Sequence, residues 1–315
     1  MLRSIAILSV IISHTFAIPF FAFGVQLFFV VSGYLLIESL NSMSKKAFIL
    51  YRIARLFPLA IGMTIIFYFR FDTKLEFVSN FLLISSFIPN YTSFPGGWSI
   101  NYEWIFSFII LIIAKLKNSK FIKLLLLLMI SNMIIYDFFI SKSLRENEIV
   151  SFKVIVLQFF VNTTFLFLGI QFKKNHVKLK PVSLFFSIVF LTLFILLDSN
   201  SSSFYTPWLI IIFLLVGITL KLNFPSFVKK PIIIKLIHFF GYRTYGLFCS
   251  HFVVMILLND SRLLELFVLT NSILAKFVYF ITTLFLSSIL AYFSYKYIEK
   301  PSILMVRKYI YEKKI

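Results

Sequence analysis

The chain begins MLRSIAILSVIISHTFAIPFFAFGVQLFFVVSGYLL (residues 1–36). Almost every residue is apolar, yet Arg3 and His14 interrupt the run eleven positions apart. Two apolar segments, 4–20 and 23–40, can be drawn through it. Each is close to the length that a helix needs to cross about 30 Å of hydrocarbon. An ionisable residue inside such a span is costly, so it faces the interior of a helical bundle and serves a purpose there.

The rest of the chain repeats this pattern. Of the 315 residues, 60% are hydrophobic and 14% are charged, against about a quarter charged in a soluble domain; the mean hydropathy is +0.96. Further spans are drawn at 56–71, 97–116, 121–139, 152–172, 181–197, 203–220, 241–258 and 273–297. The expected fold is therefore all-α, a polytopic integral membrane protein with about ten transmembrane helices in a single domain over 1–315. The stretch 77–88 is too short to span and is expected to be interfacial or re-entrant, ending before Pro89. The first segment lacks a small-residue cleavage site, so it is read as a retained helix. A lone Cys249 allows no internal disulfide, and no His/Cys cluster suggests a metal.

Lys and Arg give the orientation. Alternate loops and the two termini hold 24 of the 31 basic residues, which by the positive-inside rule places both termini in the cytoplasm of a protein integral to the cytoplasmic membrane. The net charge of +19 is dispersed over these loops. It suits topology and anionic membrane lipids, whereas a nucleic-acid site needs one continuous basic face.

On an α-helix, eleven residues complete three turns and about 20°, so Arg3 and His14 share a face about 16 Å apart along the axis. With the first span ending at residue 20, His14 lies about 9 Å below the outer boundary. Glu103, six residues into the span that opens GGWSINYEWIF (96–106), lies at the same depth. A carboxylate beside an imidazole orients it as a base, so a His14–Glu103 pair is expected. The alternatives are a neutral His14 bonded to a neighbouring helix and a Glu103 bonded to backbone or water. Arg52 and Arg55 are three apart and share a helical face, at the cytoplasmic edge of the third span. Positive-inside anchoring alone would account for them. Ser32 and Gly33 are small enough to let helices approach closely, or to thin the wall of a channel. His251, eight residues past Arg243 in the ninth span, is either structural or within reach of such a channel.

These residues fall into an ordered set. Arg3 and His14 match an Arg-x10-His pattern. Phe28, Phe29, Ser32 and Gly33 match FFxxSG. Arg52, Arg55, Leu56 and Pro58 match RxxR followed by Leu-x-Pro. Trp98, Ser99 and Glu103 match WSxxxE. The stretch GYRTYGLFCSH (241–251) is similar to a late Ser-Tyr-x-x-Tyr-Leu-x-His segment with Thr244, Phe248 and Cys249 substituted, and KYIEKP (296–301) matches a Tyr-x-Glu-Lys-Pro ending. Six such matches in order resemble the membrane acyltransferase-3 family, which includes bacterial polysaccharide and O-antigen O-acetyltransferases.

The resemblance implies acyl transfer across the membrane, from acetyl-CoA as co-substrate to a hydroxyl of an extracytoplasmic or lipid-linked glycan. Arg52 and Arg55 would hold the coenzyme A phosphates, which Arg suits as a bidentate donor. His14 would be the base or carry the acyl group, Glu103 would orient it, and Arg3 would contact the donor or hold the helix. Ser32, Gly33 and His251 would line the donor channel. The chain ends soon after the tenth span, so no appended esterase-like domain is expected. A transporter or flippase of glycan precursors is the rival reading. Polytopic topology and buried ionisable residues suit it equally, but no internal repeat of the kind many transporters carry is visible.

Overall fold

The structure, a computed structural model, describes residues 1–113, 152–175, 211–212, 230–260 and 273–313. All regular structure among them is helical. The expected spans 121–139, 181–197 and 203–220 lie wholly or almost wholly outside the described residues, so the count of about ten is not established. Among the described residues, three helices are long and apolar enough to cross a membrane, or four with one bent pair.

Helix α1 (Leu2–Phe16) and helix α2 (Phe23–Ser42) form the first hairpin, joined by a 3-10 turn at Pro19–Ala22. Here the sequence expectation is corrected. The first helix stops at Phe16 and does not run to residue 20. Pro19 has no N–H to donate and disfavours helical geometry in Ile18 before it. Ala17 turns left-handed at φ 55° and returns its N–H to the Ser13 carbonyl, a common helix ending. Helix α2 has no exposed stripe to speak of and forms the centre of the bundle, packed on α1 and on α6 (Phe152–Asn175).

Glycines set the distance between α2 and α6. A Cβ on Gly33 would overlap the Leu166 carbonyl oxygen, and one on Gly169 would overlap the Val30 carbonyl. The two backbones therefore touch, with small residues from each helix at the crossing. This fixes which face of α2 is turned away from α6 and toward the cavities described below.

Helix α3 (Lys45–Ile66) begins eleven residues before the expected span of 56–71. Ser44 caps it, its side chain accepting from the Ala47 N–H at 3.1 Å, which satisfies one of the free donors at a helix start. Consequently Arg52 and Arg55 lie within the spanning helix. A short helix α4 (Lys74–Phe81) and a 3-10 turn at Ser85–Phe87 occupy the 77–88 region, too short to span, as expected. They form a polar knot. Asn80 donates to the Thr92 carbonyl at 2.7 Å and accepts from the Phe94 N–H at 3.0 Å. Glu76, 3% exposed, accepts from the backbone N–H groups of Asp72, at 2.9 Å, and of Thr92. Burial pushes the Glu76 carboxyl up, but the hydrogen bonds from Thr92, Asp72 and Thr73 outweigh it and hold the group below the usual carboxylate range.

The knot leads into α5 (Gly97–Ile113). Further on, α7 (Pro231–Tyr242) has no buried residue and meets α8 (Thr244–Asp260) at a bend of 76°. Helix α9 (Ile273–Ser294) packs on α8 and continues through a π-turn at Tyr295–Glu299 into α10 (Lys300–Lys313).

Candidate functional site

Three helices meet at one carboxylate. Ser32 of α2 donates to Glu103 Oε1 at 2.9 Å, and Arg52 Nη2 of α3 donates to Glu103 Oε2 at 3.0 Å. Arg52 also reaches the Glu103 carbonyl at 3.2 Å, and its Nε donates to Ser107 Oγ at 2.9 Å. Arg52 is 5% exposed. A guanidinium this buried must be both paired and hydrogen-bonded, and Glu103 and Ser107, one turn apart on α5, supply both needs.

The expected His14–Glu103 pair is therefore not formed: both Glu103 oxygens are engaged by Ser32 and Arg52. Matching depths do not fix which way a side chain points around its helix. The depth of His14 also changes, because α1 ends at Phe16 and puts His14 about 3 Å from the helix end. His14 is exposed.

Arg3 and Arg55 stand in a different state from Arg52. Neither has an ion pair among the described residues, yet both line the two narrow cavities that touch Glu103, of about 30 and 40 Å³. The smaller one extends toward Ser39 and Tyr51, at the end of the bundle where α2 stops and α3 starts. The other passes Ser32 and Tyr245 and reaches Val25, Ser99 and Phe248 toward the opposite end. Arg3 also borders a third cavity of about 420 Å³, between α1, α2, α6 and α7, with Tyr34, His238 and Tyr242 on its wall. That space is larger but mostly apolar-lined, and Glu103 and Arg55 do not line it. The smaller cavities have the charged groups.

Beyond Phe248 lie two imidazoles. The His14 and His251 ring centres are 5.6 Å apart, and the His14 and Phe252 centres 4.9 Å apart. His251 is fully buried, with Nδ1 3.1 Å from the Leu247 carbonyl oxygen. Gly96, at φ +78°, closes this wall: a Cβ there would press into the rings of Phe252 and Phe248. The left-handed backbone and the close rings both require glycine at this position.

The sequence-derived residues thus separate into two groups on either side of Phe248. Arg3, Ser32, Arg52, Arg55 and Glu103 form a polar cluster, while His14 and His251 form a pair toward the other end. Gly33 belongs to neither, since it lies against Leu166 of α6 and lines none of these cavities; its place in the donor channel is not supported. His251 sits beside His14 and away from the arginines. One contributor, Ser107, lies outside every motif, and two more, Tyr245 and Glu299, lie inside motifs that assign them no role. Ser107 supports Arg52 from one turn beyond Glu103. Tyr245 donates to the Leu56 carbonyl at 2.7 Å and pins α8 to α3. Glu299, 4% exposed, accepts from Ser294 at 3.3 Å beside Gly246, and only its position in KYIEKP marked it.

A family model described as an acyltransferase domain matches residues 1–292, and the chain belongs to this acyltransferase-3 family. No curated protein and no solved structure matches the chain.

Proposed function

We propose that this membrane acyltransferase moves an acetyl group from cytoplasmic acetyl-CoA to a hydroxyl of an extracytoplasmic or lipid-linked glycan. The observation that carries the reading is that one helix, α1, brings Arg3 to the basic cavities and His14 to a place three turns along. Arg3 and Arg55, which form no ion pair among the described residues, line the cavities beside Glu103, and the exposed imidazole of His14 stands beyond Phe248. The dominance of basic residues in one set of loops supports a cytoplasmic position for the arginine end and for both termini.

The arginine pair suits a polyanionic donor. Arg52 is committed to Glu103, so Arg3 and Arg55 take the place first assigned to Arg52 and Arg55 as phosphate ligands. Acetyl-CoA supplies a thioester-activated acetyl group and a long flexible arm between that group and its phosphates. Such an arm is needed because Arg3 and His14 are about 16 Å apart on α1. His14 then acts as general base on the acceptor hydroxyl. The oxygen–carbonyl bond forms, the carbon–sulfur bond breaks, and the proton taken by His14 passes to the departing thiolate. The Glu103–Arg52 pair, with Ser32, ties α2, α3 and α5 together beside these cavities, whose walls Arg3 and Arg55 share.

The test uses membrane vesicles from cells with and without the protein, incubated with acetyl-labelled acetyl-CoA. Protein-dependent label is expected in base-labile ester linkage in the glycan or glycolipid fraction, and it should vanish in His14→Ala at matched membrane abundance. Protein-dependent movement of unmodified glycan precursor with no ester label would overturn the reading in favour of transport.

A further inference from the structure

His251 presents an unusual problem for a buried side chain. Its Nδ1 faces the Leu247 carbonyl oxygen at 3.1 Å. A carbonyl only accepts, so Nδ1 carries the proton and Nε2 is left as a lone pair. That Nε2 is fully buried and has no hydrogen-bond partner among the described residues. A buried acceptor left without a donor is costly, and any apolar side chain would avoid the cost. Three rings surround it: Phe252 at 4.0 Å, Phe248 at 5.7 Å and His14 at 5.6 Å between centres. Of these, only His14 owns a donor.

The distance allows the contact. Two imidazoles joined by an N–H···N bond with nitrogens about 2.9 Å apart have ring centres about 5 Å apart. His14 stands roughly half an ångström beyond that, in the last turn of α1, and its ring is inclined by 35° to that of His251.

We propose that His251 is the positioning residue for His14, its Nε2 accepting a hydrogen bond from one His14 nitrogen and thereby leaving the other His14 nitrogen as the base. The role given to His14 rests on the function proposed above; the pairing of the rings does not. With one nitrogen protonated toward His251, a neutral His14 must have its second nitrogen unprotonated. That second nitrogen is the one free to face the exposed side. When it takes a proton from a hydroxyl, the imidazolium keeps its bond to the His251 lone pair. A neutral ring thus does what a carboxylate does in other base–orienter pairs. Glu103 does not compete for the role, because Arg52 and Ser32 hold it.

The experiment reads the pair directly and then through turnover. The full-length protein in detergent, labelled with ¹⁵N-histidine, contains four histidines, and His14→Ala and His251→Leu assign the two of interest. The wild type should show His251 protonated at Nδ1 with a hydrogen-bonded Nε2, and His14 in one fixed tautomer. In His251→Leu the His14 nitrogens should average between tautomers. His251→Gln, whose amide oxygen can accept in place of Nε2, should restore the fixed form. In acyl transfer, His251→Leu should lose about tenfold in kcat, the worth of one hydrogen bond, with donor KM unchanged. His251→Gln should recover most of that loss, and His251→Leu should add nothing in a His14→Ala background.

A His251 Nε2 with the shift of a free lone pair in the wild type overturns the proposal, and so does an unchanged His14 spectrum in His251→Leu. Should His251→Leu not fold, the wild-type and His251→Gln spectra decide alone. Because the spectra need no turnover, an inactive protein with paired imidazoles would sink the proposed function and leave this inference standing.

Discussion

Arg52→Ala should unfold this protein far more readily than Arg55→Ala, although the two arginines are three residues apart in one motif. The contrast follows from their surroundings. Arg52 is 5% exposed and makes its ion pair at 3.0 Å, with a second bond to Ser107. Removing it strands the Glu103 carboxylate in the bundle, and breaking a buried pair by deleting one partner costs about 3–5 kcal/mol. By the tenfold-per-1.4 kcal/mol relation, that is about 10²–10³·⁵ in the unfolding equilibrium. Arg55 is partly exposed and forms no ion pair among the described residues, so Arg55→Ala should fall within about 0.5 kcal/mol of wild type, as surface-like changes do. The chain offers its own probe: Cys249 is the one cysteine in the sequence and is 2% exposed. The rate at which a thiol-reactive dye labels it in detergent reads the open population. Replacing both Arg52 and Glu103 by Met should recover much of the loss, since an apolar pair strands no charge. Equal labelling of Arg52→Ala and wild type, or greater labelling of Arg55→Ala, would refute the reasoning and return Arg52 to the donor site.

Three further outcomes are expected. Arg3→Ala and Arg55→Ala should each raise the donor KM by about 10–100-fold, the worth of one charge-assisted hydrogen bond; Arg55→Lys should fall between, because Lys lacks the planar fork, and steady-state acyl transfer at varied acetyl-CoA measures all three. Gly33→Leu should sharply reduce the folded fraction by prising α2 from α6, and Cys249 labelling should rise with it. Glu76→Gln should cost about 1–3 kcal/mol at neutral pH by weakening the acceptor for the Asp72 and Thr92 N–H groups. The native carboxyl lies below its ordinary value, so Glu76 contributes stability above the unfolded-state pKa and loses it as pH falls through the folded value. Thermal unfolding followed by fluorescence should therefore show wild type and Glu76→Gln converging in acid, and parallel curves at all pH values would refute the assignment.

What could be read from the sequence, and what could not, divides along a physical line. Periodicity and hydropathy are properties of one helix at a time. They placed α2 within a few residues, put Arg3 and His14 on one face, and marked 77–88 as too short to cross. Boundaries set by local chemistry were harder. Ile18-Pro19 ends α1 early, and Ser44 starts α3 early; both signals are present in the sequence but are hidden inside runs that read as uniformly apolar. The pairings were least legible. Depth along the membrane normal can be counted in residues, but the direction of a side chain around its helix is set by which neighbours pack on it. Counted depth and base–orienter chemistry both match Glu103 to His14, but neither says which way the two side chains face. The crossing of α2 and α6 at Gly33 and Gly169 determines where Ser32 points. Ser32, one residue and so about 100° round the helix, thus presents its hydroxyl to Glu103. Arg52 closes the arrangement from α3.

The consequence for the chemistry is a division of labour within RxxR. A buried carboxylate at the centre of the bundle needs a cation, and Arg52 is the one that α3 delivers to it. Arg55, one turn on, is carried past Glu103 to the cavity wall, where Arg3 arrives from α1. The proposed donor site, drawn from two different helices, depends on the α1–α2 hairpin being fixed relative to α3, and the Ser32–Glu103–Arg52 connection ties α2 to α3 and α5. Loss of Glu103 should then appear twice: as lower stability in Cys249 labelling, and as a raised donor KM even though Glu103 is not proposed to touch the phosphates. Glu103→Gln, which keeps the Ser32 bond but removes the charge, separates these effects. The stability loss should be large because the Arg52 charge is left uncompensated. In the fraction that remains folded, donor KM should rise less than in Arg55→Ala. A donor KM raised by Glu103→Gln beyond that of Arg55→Ala would place the carboxylate in the donor site itself.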